Sequence, residues 1–292
     1  MTASPGSEVR SATAGVTACA GSDMRSATAG PPARADRRGA PGGEAPRSGG
    51  PGVIPRASTV PRASTVLAAL DAVRDPELDE PITALGFVIS AAVSADGDAQ
   101  VRLRLPTYFC APNFAFLMVA DAYDAVSALP GVRTAEVVLE DHFASDAING
   151  GVAAEAGFAQ SFDGEAVGEL HGLRADFLRK AVMAGTDQVC RPLLAAGADL
   201  AGLLEMRLGD LPPSAPLQRL RQRRAELGLP AGDDAPLVID PATGARVSAQ
   251  SAPLHLRRAQ VTRISIEANG SICRGMLRHR YDSPGQGEEE QQ

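Results

Sequence analysis

The chain has 292 residues, a net charge of −7 and four cysteines, Cys19, Cys110, Cys190 and Cys273, with no Cys-x-x-Cys pair. That length fits one large domain or two small ones, and the dispersed cysteines argue against a disulfide framework and against a zinc ribbon, so a reducing cytoplasm is the expected compartment. Residues 1–65 hold eight Arg against four acids, +4, which leaves −11 on the remainder and gives no support to a nucleic-acid surface.

Residues 1–63 are Ala, Gly, Ser, Pro and Arg with almost no large apolar side chain, a composition that predicts disorder because it cannot offset its ordering entropy. Order is expected from Ser64, with Ser64 or Thr65 capping a helix that carries Val66, Leu67, Leu70 and Val73. Asp75-Pro76-Glu77 ends that helix, because a residue before proline avoids helical angles. A strand opens at Leu85-Gly86-Phe87-Val88-Ile89 and runs to Val93, and Asp96-Gly97 turns it into a second strand over 100–105. A loop with Thr107, Cys110 and Pro112 leads into a helix over 113–129, which Pro130-Gly131 stops. A third strand follows at Ala135–Leu139, then the polar segment Asp141-His142-Phe143. The fold class is therefore α+β, a small helix-strand-strand-helix-strand domain over 64–145. A helical region is expected over 165–230, with Arg219, Arg221, Arg223 and Arg224 on its last helix as a solvated or partner-binding face. Residues 231–282 read as β-rich, with a turn at Asp240–Gly244 and an Asn269-Gly270 hairpin between Thr262–Ala268 and Ser271–Leu277. An acidic tail, 283–292, closes the chain.

Cys110 sits just before a helix N-terminus, where free N–H groups and the helix dipole favour a thiolate, the form that binds metal or attacks an electrophile. Cys190 and Cys273 read as packing residues. No Gly-rich phosphate loop, no His-Glu-x-x-His and no nucleophile elbow is present, so a small-molecule enzyme is the least supported class. No apolar run is long enough to span a membrane.

Asp75-Pro76-Glu77, Leu85-Gly86, Thr107 with Cys110, and Leu129-Pro130-Gly131-Val132 stand in an order and spacing that resemble the iron–sulfur cluster assembly domain. This family of metal-sulfur cluster biosynthetic proteins includes the phenylacetate-degradation protein D type. The resemblance covers about residues 64–142 and is silent on residues 150–292. One departure stands out: Thr-x-x-Cys-x-Pro replaces the family's Thr-x-x-x-Cys-Pro, so Ala111 holds the family's cysteine position. The resemblance implies that Cys110, with His142, handles metal, supported by Thr107, Asp75, Glu77 and Asp141. It implies transient iron or an iron–sulfur cluster, and a client metalloenzyme such as a diiron monooxygenase. The shifted cysteine leaves a second reading open, a scaffold or interaction subunit of an oxygenase assembly that has lost metal handling. The sequence does not fix the oligomeric state.

Overall fold

The computed structural model describes residues 60–162 and 170–281. Of the stretch 1–63 expected to be disordered, residues 1–59 lie outside the described residues, as does the acidic tail 283–292, while Ala63 already opens a helix; the described residues all belong to one unit spanning Pro55–Gln292.

Helix α1 spans Ala63–Leu70 and buries Val66 and Leu70. Its N-cap is Arg62, without a side-chain cap bond, so Ser64 and Thr65 fall inside the first turn and do not cap it. Leu67, expected in the core, faces solvent. The chain turns back through Asp75, whose Oδ1 accepts hydrogen bonds from the Glu77 and Leu78 N–H groups at 2.9 Å each. Strands β1 (Val88–Val93) and β2 (Asp98–Arg104) pair antiparallel, with Val93 opposite Ala99 and Val88 opposite Leu103. Gly97 in their turn is at φ 89°, and a Cβ there would meet the Gly131 carbonyl oxygen at 2.6 Å, so only glycine fits. Helix α2 (Pro112–Ser127) carries its proline in the first turn and returns the chain to β3 (Thr134–Glu140), which pairs parallel to β2. The sheet order is β1-β2-β3.

Alternation along β2 turns Ala99, Val101 and Leu103 inward against Val137 and Leu139 of β3 and against Phe116, Val119 and Val126 of α2. The opposite face is polar, with Gln100 on Glu136 at 3.0 Å and Arg102 on Glu140. Val88 and Val93 are half-buried at the margin of this core, and Phe114, also half-buried, meets Phe177 edge to face at 4.9 Å. Helix α3 (Ser145–Ala153) closes onto β3 through Asn149, whose side chain bonds the Leu139 N–H at 2.9 Å and carbonyl at 3.0 Å. A single turn, α4 (Phe158–Ser161), follows.

The remainder is helical. Helix α5 (His171–Ala195) is one continuous helix with Pro192 in its last turn. It is followed by α6 (Leu200–Glu205), capped by Asp199, and α7 (Ala215–Glu226), capped by Ser214. A second core gathers Val182, Cys190, Leu203, Leu208, Leu220 and Leu237. The arginines of α7 are not a free face. Arg224 is fully buried and donates to the carbonyls of Pro236 and Leu237 at 2.8 and 2.6 Å, while Arg223 is held by Asp79 at 2.6 Å and by Glu226.

The expected C-terminal hairpin is not formed. The turn at Asp240–Gly244 is present, with Gly244 at φ 73°, but Ala252–Tyr281 is one 30-residue helix, α8. The β-branched residues Thr262, Ile264, Ile266 and Ile272 and the Asn269-Gly270 pair suggested strands. Tertiary contacts override that local preference. Gly270 is buried where the Glu80 carboxylate comes in, and a Cβ would stand 2.9 Å from Glu80 Oε1. The glycine lies inside the helix and makes no turn. The α+β class stands for the small domain, and the C-terminal region is helical where β-structure was expected.

Candidate metal-handling site

Leaving β2, the chain runs through Leu105-Pro106 into the loop that carries Thr107 and Cys110, and Ala111 is the N-cap of α2. Cys110 is thus one residue outside the helix and half-buried. Its Sγ lies 3.3 Å from Thr107 Oγ1, within hydrogen-bonding distance for sulfur. The loop is fixed from the other side by the end of β3. His142 Nε2 is 2.7 Å from the Cys110 carbonyl oxygen, and His142 Nδ1 accepts the Ala144 N–H at 3.2 Å. That pair of contacts selects the neutral Nε2–H tautomer. Burial pushes the imidazole below its ordinary pKa, with the Arg280 charge adding to the effect and the Cys110 carbonyl opposing it. Both ring nitrogens face backbone groups, so His142 braces the cysteine loop in this geometry and presents no free nitrogen to a ligand. The Phe143 N–H also donates to the Tyr108 carbonyl at 3.2 Å.

The cysteine loop also carries an aromatic cluster. Tyr108 and Phe109 meet edge to face at 5.0 Å, and Phe109 and Phe143 stack tilted at 6.0 Å. Phe109 is 77% exposed, a large apolar surface to leave in water.

Asp75 is 8% exposed. Burial, aided by the nearby charges of Glu77 and Glu80, pushes its carboxyl up to about 6 despite the two N–H donors on Oδ1. Glu77 accepts a long 3.5 Å bond from Asn269 Nδ2 of α8. Asp141 turns toward α8: Tyr281 OH donates to its Oδ2 at 2.8 Å and Arg280 to its carbonyl at 3.0 Å. It does not face the cysteine loop.

Cys273, expected as a packing cysteine, does pack against the core. It lies on α8 and is half-buried, as Cys110 is. Burial pushes its thiol up to about 11, and the charges of Asp75, Cys110 and Glu77 push in the same direction, opposed by Arg274. Helical spacing could have revealed this packing, because Asn269, Cys273, Leu277 and Arg280 share one face. Reading the segment as a hairpin scattered them. Cys190, by contrast, is enclosed in the second core, and burial pushes its thiol up to about 12. Among the described residues, no three His, Cys, Asp or Glu side chains converge to hold a metal ion by themselves. The arrangement lacks a preformed cage for a resident cofactor. It offers one half-buried thiol, that of Cys110, beside the Thr107 hydroxyl.

Residues 63–137 match a family model described as iron-sulfur cluster assembly protein, the family suggested by the sequence motifs. The match runs from α1 into β3, covers about a quarter of the chain and stops short of His142 and of all the C-terminal helices. No curated protein and no solved structure matches the chain. No helix among the described residues is long and apolar enough to cross a membrane.

Proposed function

We propose that this protein is a cytoplasmic maturation factor that receives iron or an iron–sulfur unit as cargo and passes it to a client metalloenzyme. One observation carries the reading. In the segment similar to cluster-assembly proteins, the one-residue shift of the cysteine does not remove the thiol from the loop, since Cys110 Sγ still stands 3.3 Å from Thr107 Oγ1 beside an exposed aromatic surface. A soft thiolate suits iron and zinc, and a site with few ligands releases what it holds. The aromatic cluster of Tyr108, Phe109 and Phe143 gives a donor or client a surface to rest on within reach of the sulfur. A diiron monooxygenase is the client class that the resemblance favours.

Cys110→Ser tests this, because serine is close to isosteric and Cys110 is not in the centre of the core. The variant should fold normally and bind less iron after anaerobic reconstitution, and its client should carry less metal. Full metal content in both would reject metal handling. It would favour the scaffold reading, which has its own support in the exposed Leu254, Val261, Ile264, Ile272 and Met276 of α8.

A further inference from the structure

We propose that the outer face of α8 is the interface of a homodimer, in which the helices of two copies cross antiparallel at Ala268. The inference does not rest on metal handling by Cys110.

Leu254, Val261, Ile264, Ile272 and Met276 are each between 44% and 61% exposed. The opposite side of the same helix is packed: Ala259, Gly270 and Leu277 are buried, and Cys273 is half-buried against the small domain's core. At about 100° per residue, the five exposed side chains and Ala268 fall within about 120° of arc, on the far side of the helix from Leu277. From Val261 to Met276 that arc also holds Ser265 and Gly275, and no charged residue. A helix on a monomer's surface turns polar and charged side chains outward, whereas one that is apolar on both sides is covered on both.

The spacing of the stripe identifies a second copy as the occupant. Counted from Ala268, its large apolar residues stand at −7 and −4 in one direction and at +4 and +8 in the other, so it reads nearly the same both ways. A two-fold axis at Ala268 sets Ile264 level with the partner's Ile272 and Val261 level with the partner's Met276, and each pair forms twice. The small Ala268 side chain at the axis lets the two helices approach closely. Arg257 and Arg258 precede this central stretch and His279 follows it, which gives an apolar centre between charged ends. The five exposed side chains leave roughly 450 Å² of surface per copy, the size of patch that marks an interaction site. Pairing removes about 900 Å² from these residues alone, and the flanking side chains carry the total past the roughly 1,000 Å² that a specific interface needs.

The test uses the full chain and sedimentation equilibrium over a wide range of concentration. The wild type should have the mass of a dimer. Ile264→Glu and Ile272→Arg should each weaken association at least about tenfold, because a charge is set in an apolar contact. The double variant should recover the dimer, since each Glu then faces the partner's Arg. Both positions are exposed, and circular dichroism should show unchanged helix content. As a readout without charge changes, Ala268→Cys should cross-link to its counterpart on mild oxidation, above the wild-type background. Leu254→Cys, about 40 Å from its counterpart, should not. A monomeric wild type, or a dimer indifferent to both single substitutions, overturns the proposal. Failure of the double variant to recover, or cross-linking at 254 instead of 268, overturns the antiparallel crossing on which it stands. Loss of the dimer leaves metal binding by Cys110 to be judged by its own substitution.

Discussion

Replacing Asp75 by Asn should stabilise the chelator-treated protein at neutral pH and leave it almost unchanged in acid. The carboxyl is 8% exposed and is pushed up to about 6 from an ordinary value of 3.8. A pKa raised on folding means that the folded state holds the proton more tightly. Below the unfolded value both states are protonated and nothing is lost. As pH rises from 3.8 toward about 6 stability falls, and above that the full cost is present. At about 1.36 kcal/mol per unit, that cost is about 3 kcal/mol. Screening does not reduce it much, because the group is buried. Asn keeps an oxygen for the Glu77 and Leu78 N–H groups and removes the charge that Glu77 and Glu80 oppose. The variant should therefore gain up to about 3 kcal/mol at pH 7.5, a rise in Tm of roughly 6–12 °C for a unit of this size, and almost nothing at pH 4. Urea unfolding of variant and wild type at the two pH values gives the difference directly. An equal change at both, or a loss at pH 7.5, refutes the assignment of a buried, strained carboxylate.

His142 should act in the opposite direction. Its pKa is lowered in the folded protein, so its contribution is present above the ordinary value of 6.5 and is lost as pH falls through the lowered one, when a proton on Nδ1 would confront the Ala144 N–H. His142→Gln should remove that part of the acid slope and cost about 1–3 kcal/mol at pH 7.5, and an unchanged slope in urea unfolding across pH 5–7.5 would refute the bracing role. Leu277→Ala should cost about 2–5 kcal/mol and speed alkylation of Cys273, as α8 loosens from the small domain. A cost below about 1 kcal/mol with unchanged alkylation would mean that Leu277 does not anchor the helix.

The small domain was legible because its signals are local. Alternation in Val101–Leu105, Asp96-Gly97, Pro112 and Pro130-Gly131 each specify an element through their own backbone geometry, and β2 and α2 lie within two residues of the bounds expected, while β1 opens at Val88, three residues after the expected Leu85. What failed depended on distant partners. Nothing near Asn269-Gly270 in sequence announces that Glu77 and Glu80, almost two hundred residues earlier, lie against this segment in the fold. The α7 arginines looked solvated for the same reason, since the Asp79 carboxylate and the Pro236 and Leu237 carbonyls that receive them are set only by the tertiary fold. At the site, the loop cysteine and its threonine were readable from motif order. His142 was identified as a nearby residue, but its two backbone partners belong to the folded loop. The face of α8 that carries Asn269, Cys273 and Leu277 was missed because a strand reading gives alternate faces to residues that a helix places together.

The segment that matches the assembly family ends at residue 137, before the groups that hold its cysteine loop in place. Beyond that point, His142 braces the Cys110 carbonyl from the end of β3. Farther still, Arg280 bonds the Leu105 carbonyl and Tyr281 bonds Asp141, so the last turn of α8 ties the exit of β2 to the exit of β3. The Arg104 guanidinium stacks 4.3 Å above the Tyr281 ring and closes the same junction. Cys273 lies two turns back along that helix, within the stretch held by Asn269 and Leu277. A helix anchored at Leu277, Arg280 and Tyr281 fixes where that junction can be, whereas a free tail would leave the exits of both strands to sample many positions. The C-terminal half therefore does more than extend the family-like fold: its last helix ties together the exits of β2 and β3, between which His142 braces the loop that carries Cys110.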